Sequence, residues 1–192
     1  MTRTDGGNVC MIPIALNAGT LIIGLAGRGA SLRRRLSVLR DSGARQLAVF
    51  CDDPDAALPG PAHSCLPGPQ DFAGLDVLWI TGLAPDEAAA LAAQARAQRV
   101  LVNVEDQPSL CDFHSVAEVR RGDLLITVST GGRSPGLARC VRTALARQFG
   151  PEWAGRVSDI ASRRDCWRRD GASAEEVTAR TDALVKSAGW LS

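Results

Sequence analysis

An apolar strand, a turn with several glycines and an amphipathic helix follow one another near the start of the chain, and this order constrains the fold most. The stretch reads LIIGLAGRGASLRRRL, and its β-branched beginning predicts a strand over Thr20–Gly24. From about Arg28 to Ser42, leucines recur at helical spacing and arginines occupy the positions between them, before Gly43 ends the helix. A second strand is predicted at Gln46–Cys51. Two strands joined through a helix in this way are expected to be parallel, with a right-handed crossover.

The segments that follow extend this unit into a doubly wound α/β fold. Continuous apolar runs at Leu75–Thr81 and Arg99–Val104 are typical of strands buried on both faces. The Ala-rich segment Pro85–Gln98 between them is predicted to be a helix. Weaker strand signals lie at Met11–Leu16 and His63–Leu66. Together these elements predict a Rossmann-like parallel sheet with helices on both faces.

Changes in sequence texture place domain boundaries near residues 112 and 150. Residues 1–112 are predicted to form the Rossmann-like domain. Residues 113–150 read as a small α+β segment with two strands and a helix. Residues 151–192 are polar, Arg-rich and helical in pattern, which predicts a C-terminal helical segment.

The composition argues against several classes of protein. A net charge of +1 over 192 residues gives no long-range attraction to nucleic acid or to a membrane surface. No apolar run approaches the ~20 residues needed to span a bilayer. Six cysteines without a C-x-x-C pair, together with only two histidines, argue against a resident metal site and against a disulfide framework. We therefore expect reduced thiols in a cytoplasmic protein.

The glycines after the first predicted strand come close to the dinucleotide-binding fingerprint G-x-G-x-x-G. At that spacing the chain has Gly24, Ala26 and Gly29, so a methyl group is expected where the backbone approaches a pyrophosphate. A steric clash with this methyl group would weaken binding of the dinucleotide by ~1–3 kcal/mol. Gly27 offers the loop another path around that methyl. Asp52, after the second strand, is placed to accept hydrogen bonds from an adenosine ribose, which favours NAD over NADP. A ligand-free turn accounts equally well for the glycines, and a turn carboxylate for the aspartate.

The stretch VNVEDQPSLCDF, Val102–Phe113, brings polar side chains to the carboxyl end of a buried strand. Ligands bind at this edge in open α/β sheets. Asp106 is therefore a candidate general base or transient metal ligand, and Asn103 a candidate substrate contact. The alternative is that the carboxylates only cap a turn around Pro108.

A second candidate loop, STGGRSPG, leads into the next predicted helix. Hydroxyls and backbone N–H groups at a helix entrance can bind a carboxylate or a phosphate, and several arginines follow within reach. The alternative is an N-capped helix with a solvated basic face. The candidate substrate groups in this region are Thr130, Gly131, Arg133, Ser134 and Arg139.

Taken in order, these segments resemble the precorrin-2 dehydrogenase / sirohydrochlorin ferrochelatase family over about residues 12–150. The most specific parts are VNVEDQPSLCDF and DLLITVSTGGRSPGLARCVR, which look like the family's N-V-x-D and S-T-x-G-x-S-P signatures. The resemblance implies that residues 1–112 bind NAD and that residues 113–150 form an intertwined homodimer. It also implies oxidation of precorrin-2 to sirohydrochlorin with NAD, often followed by Fe²⁺ insertion. The family's essential aspartate falls on Asp106, and a hydroxyl that can be phosphorylated falls on Thr130. The implied NAD contacts are Gly24, Gly27, Arg28, Asp52 and Asp53.

Two other functions remain open at this point. The altered glycine turn is compatible with a chelatase that binds NAD poorly, because metal insertion needs only the aspartate and a cleft. The basic tail sequence SRRDCWRRD, Ser162–Asp170, is compatible with a non-catalytic tetrapyrrole- or nucleotide-binding protein that recruits a partner. Neither nucleic acid nor a membrane is predicted as a partner.

Overall fold

The computed structural model describes residues 11–191, and within them the chain divides into two compact units. The first unit ends at Ser115 and the second begins at Val116. The boundary predicted near residue 112 falls three residues before this division, and the one predicted near residue 150 falls inside the second unit. Of the six cysteines, Cys10 lies outside the described residues, and the other five are free thiols.

A four-stranded parallel sheet forms the centre of the first unit. Its strands follow the order β2-β1-β3-β4, so the chain moves outward in one direction from β1 and then in the other. All three strand pairings are parallel. The strands are β1 (Ile22–Gly27), β2 (Gln46–Phe50), β3 (Val77–Thr81) and β4 (Leu101–Val104). The helices are α1 (Gly29–Asp41), between β1 and β2, and α2 (Pro85–Ala97), between β3 and β4.

Each face of this sheet is covered by one helix. Alternate residues of each strand point to opposite faces, so both faces present apolar side chains for a helix to cover. On one face α1 packs through Leu32, Leu36 and Leu39. On the other face α2 presents a row of small buried side chains and one leucine, Leu91. Every residue of β3 is buried, as its continuous apolar sequence predicts. The predicted doubly wound architecture is confirmed.

Two of the weaker strand predictions fail or shrink in the structure. Met11–Leu16 forms no strand, and its residues are exposed. Pro13 lacks an N–H group for a sheet ladder, and no neighbouring strand pairs with the segment. The signal around His63 reduces to a single parallel bridge with Phe50, over whose ring the imidazole stacks at a centroid distance of 4.6 Å.

The second unit contains a two-stranded antiparallel hairpin and three helices. The strands are β5 (Ala117–Arg121) and β6 (Leu124–Val128), followed by α3 (Pro135–Gln148), α4 (Trp153–Arg169) and α5 (Ala174–Ser187). Among its described residues only Val119, Ala138 and Val177 are buried hydrophobic residues. Such a sparse core leaves apolar surface uncovered. Within residues 11–191 none of the helices combines the length and apolar character that crossing a bilayer requires.

Candidate functional site

The turn between β1 and α1 lies at Gly27–Gly29, several residues later than the sequence predicts. Gly27 is the last residue of β1 and pairs with Thr81 of β3. A Cβ atom at Gly27 would overlap the Thr81 carbonyl group, so only glycine allows this close approach of the two strands. The N–H of Arg28 then donates to the same carbonyl oxygen at 3.2 Å.

This later turn corrects the predicted roles of Gly24 and Ala26. Gly24 lies inside β1, where an added Cβ would come within 2.8 Å of the side chains of Leu75 and Leu78. It therefore allows close packing against β3 and the residue Leu75 that precedes β3, and does not border a ligand. Ala26 also lies inside β1, and its exposure is 0%. The prediction that its methyl group stands in the path of a pyrophosphate is wrong, because β1 continues through this position to Gly27.

The glycine of the turn with open space around it is Gly29, the first residue of α1. Its φ of 67° lies in the left-handed region that favours glycine, and a Cβ built there would meet nothing within 4 Å. The side chain of the N-cap residue, Arg28, forms no capping hydrogen bond with the first turn of α1. Free backbone N–H groups and open space at a helix N-terminus suit an anionic group such as a nucleotide pyrophosphate. The turn thus keeps a dinucleotide-compatible shape in a different register.

Arg28 links the ends of two other elements beside this turn. Its Nε and Nη2 donate to the two carboxylate oxygens of Asp52, each at 2.7 Å, just after β2. Its Nη1 and Nη2 donate to the two oxygens of Glu87, at 2.8 and 2.9 Å, in the first turn of α2. We call these three residues the Arg28 cluster. Bidentate geometry of this kind is the strongest form of arginine–carboxylate pairing.

The cluster sets the ionisation of its members. The guanidinium group of Arg28 donates hydrogen bonds that hold the pKa of Asp52 below its ordinary value, and the same group lowers the pKa of Glu87. The two carboxylates in turn raise the pKa of Arg28. Two negative charges and one positive charge leave the cluster with a net charge of −1 at neutral pH. Asp53, the neighbour of Asp52, accepts instead from the N–H of Asp55 at 3.0 Å and closes a local turn.

Asp106 lies at the carboxyl end of β4, on the same edge of the sheet as the glycine turn and Asp52, since all four strands are parallel. It is exposed, and its φ of 63° is an uncommon left-handed conformation for a residue other than glycine. Such conformations cost about 1–3 kcal/mol and persist where the surrounding structure enforces them. The candidate base is therefore held in a specific backbone conformation at an open edge.

The residue before it, Glu105, is anchored to α1. One of its carboxylate oxygens accepts from Arg34 at 2.9 Å and from Arg35 at 3.5 Å. Its side chain is only 14% exposed, and burial lowers the pKa of Arg35. Among the described residues, the other oxygen of Glu105 and the Nε of Arg35 are buried without a hydrogen-bond partner. This ion pair ties the backbone next to Asp106 to the helix that begins at the glycine turn.

The chain after Asp106 is fixed by polar contacts around a short 3-10 turn, Pro108–Leu110. Asn103 is 5% exposed, and its amide Nδ2 donates to the carbonyl oxygen of Phe113 at 2.8 Å. The thiol of Cys111 donates to the carbonyl oxygen of Val104 at 3.2 Å, and burial raises its pKa. These contacts give Asn103 a role inside the unit, in holding the loop that carries Asp106.

The predicted hydroxyl loop belongs to the second unit. Ser134 is the N-cap of α3, and its Oγ accepts from the N–H of Leu137 at 3.3 Å. The Oγ1 of Thr130 accepts from the N–H of Ser134, and Gly131 takes a φ of 60°. Arg133 and Arg139 are exposed, and neither forms an ion pair with another described residue. The loop therefore has the capped-helix geometry that the sequence left as an alternative, with free cations beside it.

Sequence reasoning missed Glu87 and the anchoring pair of Glu105 with Arg34 and Arg35. Glu87 stands at the third position of α2, in the stretch APDE, where its carboxylate also accepts from the N–H of Ala84 at 3.4 Å. That sequence pattern predicts a residue that caps the helix N-terminus. The contact with Arg28, 59 positions away, leaves no local signal.

A parallel sheet, a glycine turn that opens onto an uncapped helix N-terminus, and a carboxylate after the second strand together define a Rossmann-like dinucleotide-binding domain. The sequence agrees with this class. Residues 14–117 match a family model described as NAD(P)-binding. The chain belongs to this family of NAD(P)-binding domains.

Curated relatives share part of their sequence with this chain. Siroheme synthase of Thiobacillus denitrificans is 43% identical over 81 residues, which are 41% of this chain and 17% of the relative. Siroheme synthase of Salmonella arizonae is 30% identical over 150 residues, and that of Escherichia coli K12 is 32% identical over 143 residues. Each of these two matches covers 71% of this chain and 31% of the relative. The chain thus spans less than a third of the length of the relatives it matches.

A solved structure, SirC, described as a precorrin-2 dehydrogenase, has the same fold. It superposes with a TM-score of 0.70 over 95% of this chain and 93% of its own, at 17% sequence identity. At this identity the likeness concerns the fold alone.

Proposed function

We propose that this chain is an NAD-dependent precorrin-2 dehydrogenase that forms sirohydrochlorin for sirohaem biosynthesis. The observation that carries the proposal is that Asp106, Gly29 and Asp52 lie on the same edge of the sheet, at the carboxyl ends of its parallel strands. The siroheme synthase relatives, and the fold shared with a precorrin-2 dehydrogenase, support a tetrapyrrole as the class of substrate. An exposed carboxylate on the same edge of the sheet as a dinucleotide-compatible turn supplies the two parts that such an oxidation needs.

The residues of the turn fit the cofactor. Gly29 leaves room for a pyrophosphate over the first turn of α1, and Asp52 has lone pairs beyond its two Arg28 contacts for a ribose hydroxyl group. Bound NAD⁺ supplies a two-electron hydride acceptor. Loss of hydride from the macrocycle leaves one proton to remove, and the Asp106 carboxylate accepts it as general base. Asp53, Gly27 and Arg28 shape the site around the adenosine end.

Cations outside the sheet edge support the choice of an anionic substrate. Precorrin-2 carries several carboxylates, which guanidinium groups bind in bidentate fashion. Residues 116–192 hold thirteen Lys and Arg against nine Asp and Glu, so the positive charge of the chain is concentrated there. Arg133 and Arg139 lie exposed at the start of α3, beside Thr130, Gly131 and Ser134. We assign these groups to the substrate carboxylates.

We extend the proposal to insertion of Fe²⁺ into sirohydrochlorin, with the metal as substrate. Insertion requires removal of two pyrrole N–H protons, and the exposed Asp106 carboxylate can accept protons and approach a labile cation. A chelatase without dehydrogenase activity is the second candidate. It would keep metal insertion while failing to bind NAD⁺.

A homodimer is part of the proposed function. The second unit buries only three hydrophobic side chains among its described residues, while Val116, Leu137 and Val141 stay exposed. A second copy of this unit would cover that apolar surface, as intertwining in the resembling family implies. We also place the reaction in the cytoplasm, since five free thiols suit a reducing compartment.

The direct test follows the conversion of precorrin-2 by absorbance in the presence of NAD⁺. The wild-type protein is expected to form sirohydrochlorin, and Asp106→Asn to lose activity by roughly 10²–10⁴-fold while its Kd for NAD⁺ is unchanged. Asp86→Asn, which removes an exposed carboxylate from the first turn of α2, is the matched control. Wild-type protein that binds NAD⁺ but leaves precorrin-2 unchanged would refute the dehydrogenase assignment. Fe²⁺ insertion that persists in Asp106→Ala would refute the role of this carboxylate in metallation.

A further inference from the structure

The Arg28 cluster places an arginine and a carboxylate together at the position that reads the adenosine ribose. In dinucleotide-binding folds a carboxylate after the second strand accepts the ribose hydroxyl groups of NAD, whereas an arginine there accommodates the 2′-phosphate of NADP. This chain has both, with Asp52 as the carboxylate and Arg28 as the arginine. The identity of these two residues therefore does not decide between NAD and NADP. The other contacts of Arg28 decide it.

The hydrogen-bond capacity of Arg28 decides this choice. A guanidinium group has five N–H donors. Four of those donors are used within the cluster, two by Asp52 and two by Glu87. One N–H of Nη1 is left, which cannot bind a phosphate in bidentate fashion. The net charge of −1 also repels a phosphate dianion.

We propose that Glu87 is a positioning residue for cofactor selection, which acts through Arg28 to make the site prefer NAD⁺ over NADP⁺. Glu87 holds half of the guanidinium fork and adds the charge that makes the cluster negative. Without it, Arg28 and Asp52 form a neutral pair, and Nη1 with one N–H of Nη2 is free to face a 2′-phosphate. The inference rests on the nucleotide site of the proposed function and adds a residue on α2 to it.

The test measures Kd for NAD⁺ and for NADP⁺ by calorimetry on the full-length apoprotein. Glu87→Gln is expected to lower the ratio of Kd for NADP⁺ to Kd for NAD⁺ at least tenfold, mainly by tighter NADP⁺ binding. Glu87→Ala, which also removes the hydrogen-bond acceptor, is expected to lower the ratio further. Asp86→Asn is the matched control, because it removes one exposed negative charge from the neighbouring position without touching Arg28, and its ratio should equal that of wild type.

A double-mutant cycle separates this mechanism from a general change of charge. In Arg28→Gln/Glu87→Gln the guanidinium is absent, so the gain in NADP⁺ affinity is expected to disappear. A thermal melt of each apoprotein verifies that the variants are folded at the titration temperature.

Several results would overturn the inference. One is a ratio of Kd for NADP⁺ to Kd for NAD⁺ that is the same in both Glu87 variants as in wild type. Another is a gain in NADP⁺ affinity that persists in the double variant without Arg28. Wild-type protein that binds neither dinucleotide would refute this inference together with the cofactor of the proposed function. A shifted ratio in a protein that binds NAD⁺ but does not oxidise precorrin-2 would refute the proposed reaction and leave the role of Glu87 intact.

Discussion

Replacing Ala26 with glycine separates the two explanations of the glycine turn. If the methyl group of Ala26 obstructed a pyrophosphate, Ala26→Gly would strengthen NAD⁺ binding ten- to a hundred-fold, for a clash of ~1–3 kcal/mol. In the structure this methyl group is fully buried, and Ala26 pairs with Phe50 and Ile80 in the sheet. We therefore expect the substitution to destabilise the protein and to leave Kd for NAD⁺ within about twofold of wild type.

The size of the destabilisation follows from two contributions. Glycine in the middle of a strand costs about 0.5–1 kcal/mol relative to alanine, through the freedom of the unfolded chain. Removal of a fully buried methyl group from the core costs about 1 kcal/mol more. The free energy of unfolding should fall by about 1.5–2 kcal/mol in total. For a chain of this size the midpoint of thermal unfolding should then fall by roughly 3–8 °C.

The opposite substitution, Gly29→Ala, completes the experiment. Its left-handed backbone costs an alanine about 1–2 kcal/mol, so both variants lose a similar amount of stability. Only Gly29→Ala adds an atom to the open space at the start of α1, and we expect it to weaken NAD⁺ binding tenfold or more, about 1.4 kcal/mol. Urea denaturation and calorimetry on the two proteins give the four numbers required. Tighter NAD⁺ binding in Ala26→Gly by tenfold would refute the register of the turn that the structure shows.

Three further predictions concern the ion pairs and the exposed apolar surface. Arg28 lowers the pKa of its two carboxylate partners, Asp52 and Glu87. The ion pairs therefore stabilise the folded state fully above about pH 4–5, and this stabilisation is lost as the pH falls through the lowered pKa values. Arg28→Gln should show a smaller drop in the midpoint of thermal unfolding between pH 7 and pH 3 than wild type. Glu105→Gln leaves the half-buried charge of Arg35 unpaired and should lower the free energy of unfolding by about 1–3 kcal/mol in urea titrations, whereas an unchanged value would show that the pair is not formed. Val141→Asp should convert dimers to monomers in sedimentation velocity, while Val38→Asp, at a similarly exposed valine of the first unit, should not.

Local sequence patterns were sufficient to predict the elements of the sheet. Helix α1 and strand β3 were predicted within one or two residues at each end, because their leucine spacing and continuous apolar run report burial directly. The end of β1 was misplaced by three residues. The position of this end depends on the pairing of Gly27 with Thr81. Thr81 is 54 positions away, so a local sequence pattern cannot predict the pairing. The glycine fingerprint was consequently assigned in the wrong register.

The candidate site divides in the same way. The sequence places Asp106 at the carboxyl end of a strand, and the order of parallel strands brings it to the edge with Asp52. Contacts that modify these carboxylates come from distant segments, as with Glu87 and Arg28, and depend on how two loops meet. Asn103 was predicted at the open edge because of its strand position, whereas its amide is used to hold the chain at Phe113. Strand position alone therefore does not distinguish a ligand contact from an internal brace.

Helix α1 has Gly29 at its first turn and Arg35 about 9 Å further along its axis. The first position borders the open space of the turn, and the second contacts Glu105 beside Asp106. A molecule that displaces the start of this helix therefore also moves the anchor of the carboxylate. If binding at the helix start alters affinity near Asp106, then binding near Asp106 alters affinity at the helix start by the same factor, because thermodynamic coupling is reciprocal. The order in which two molecules bind at these places cannot change the total free energy of filling both.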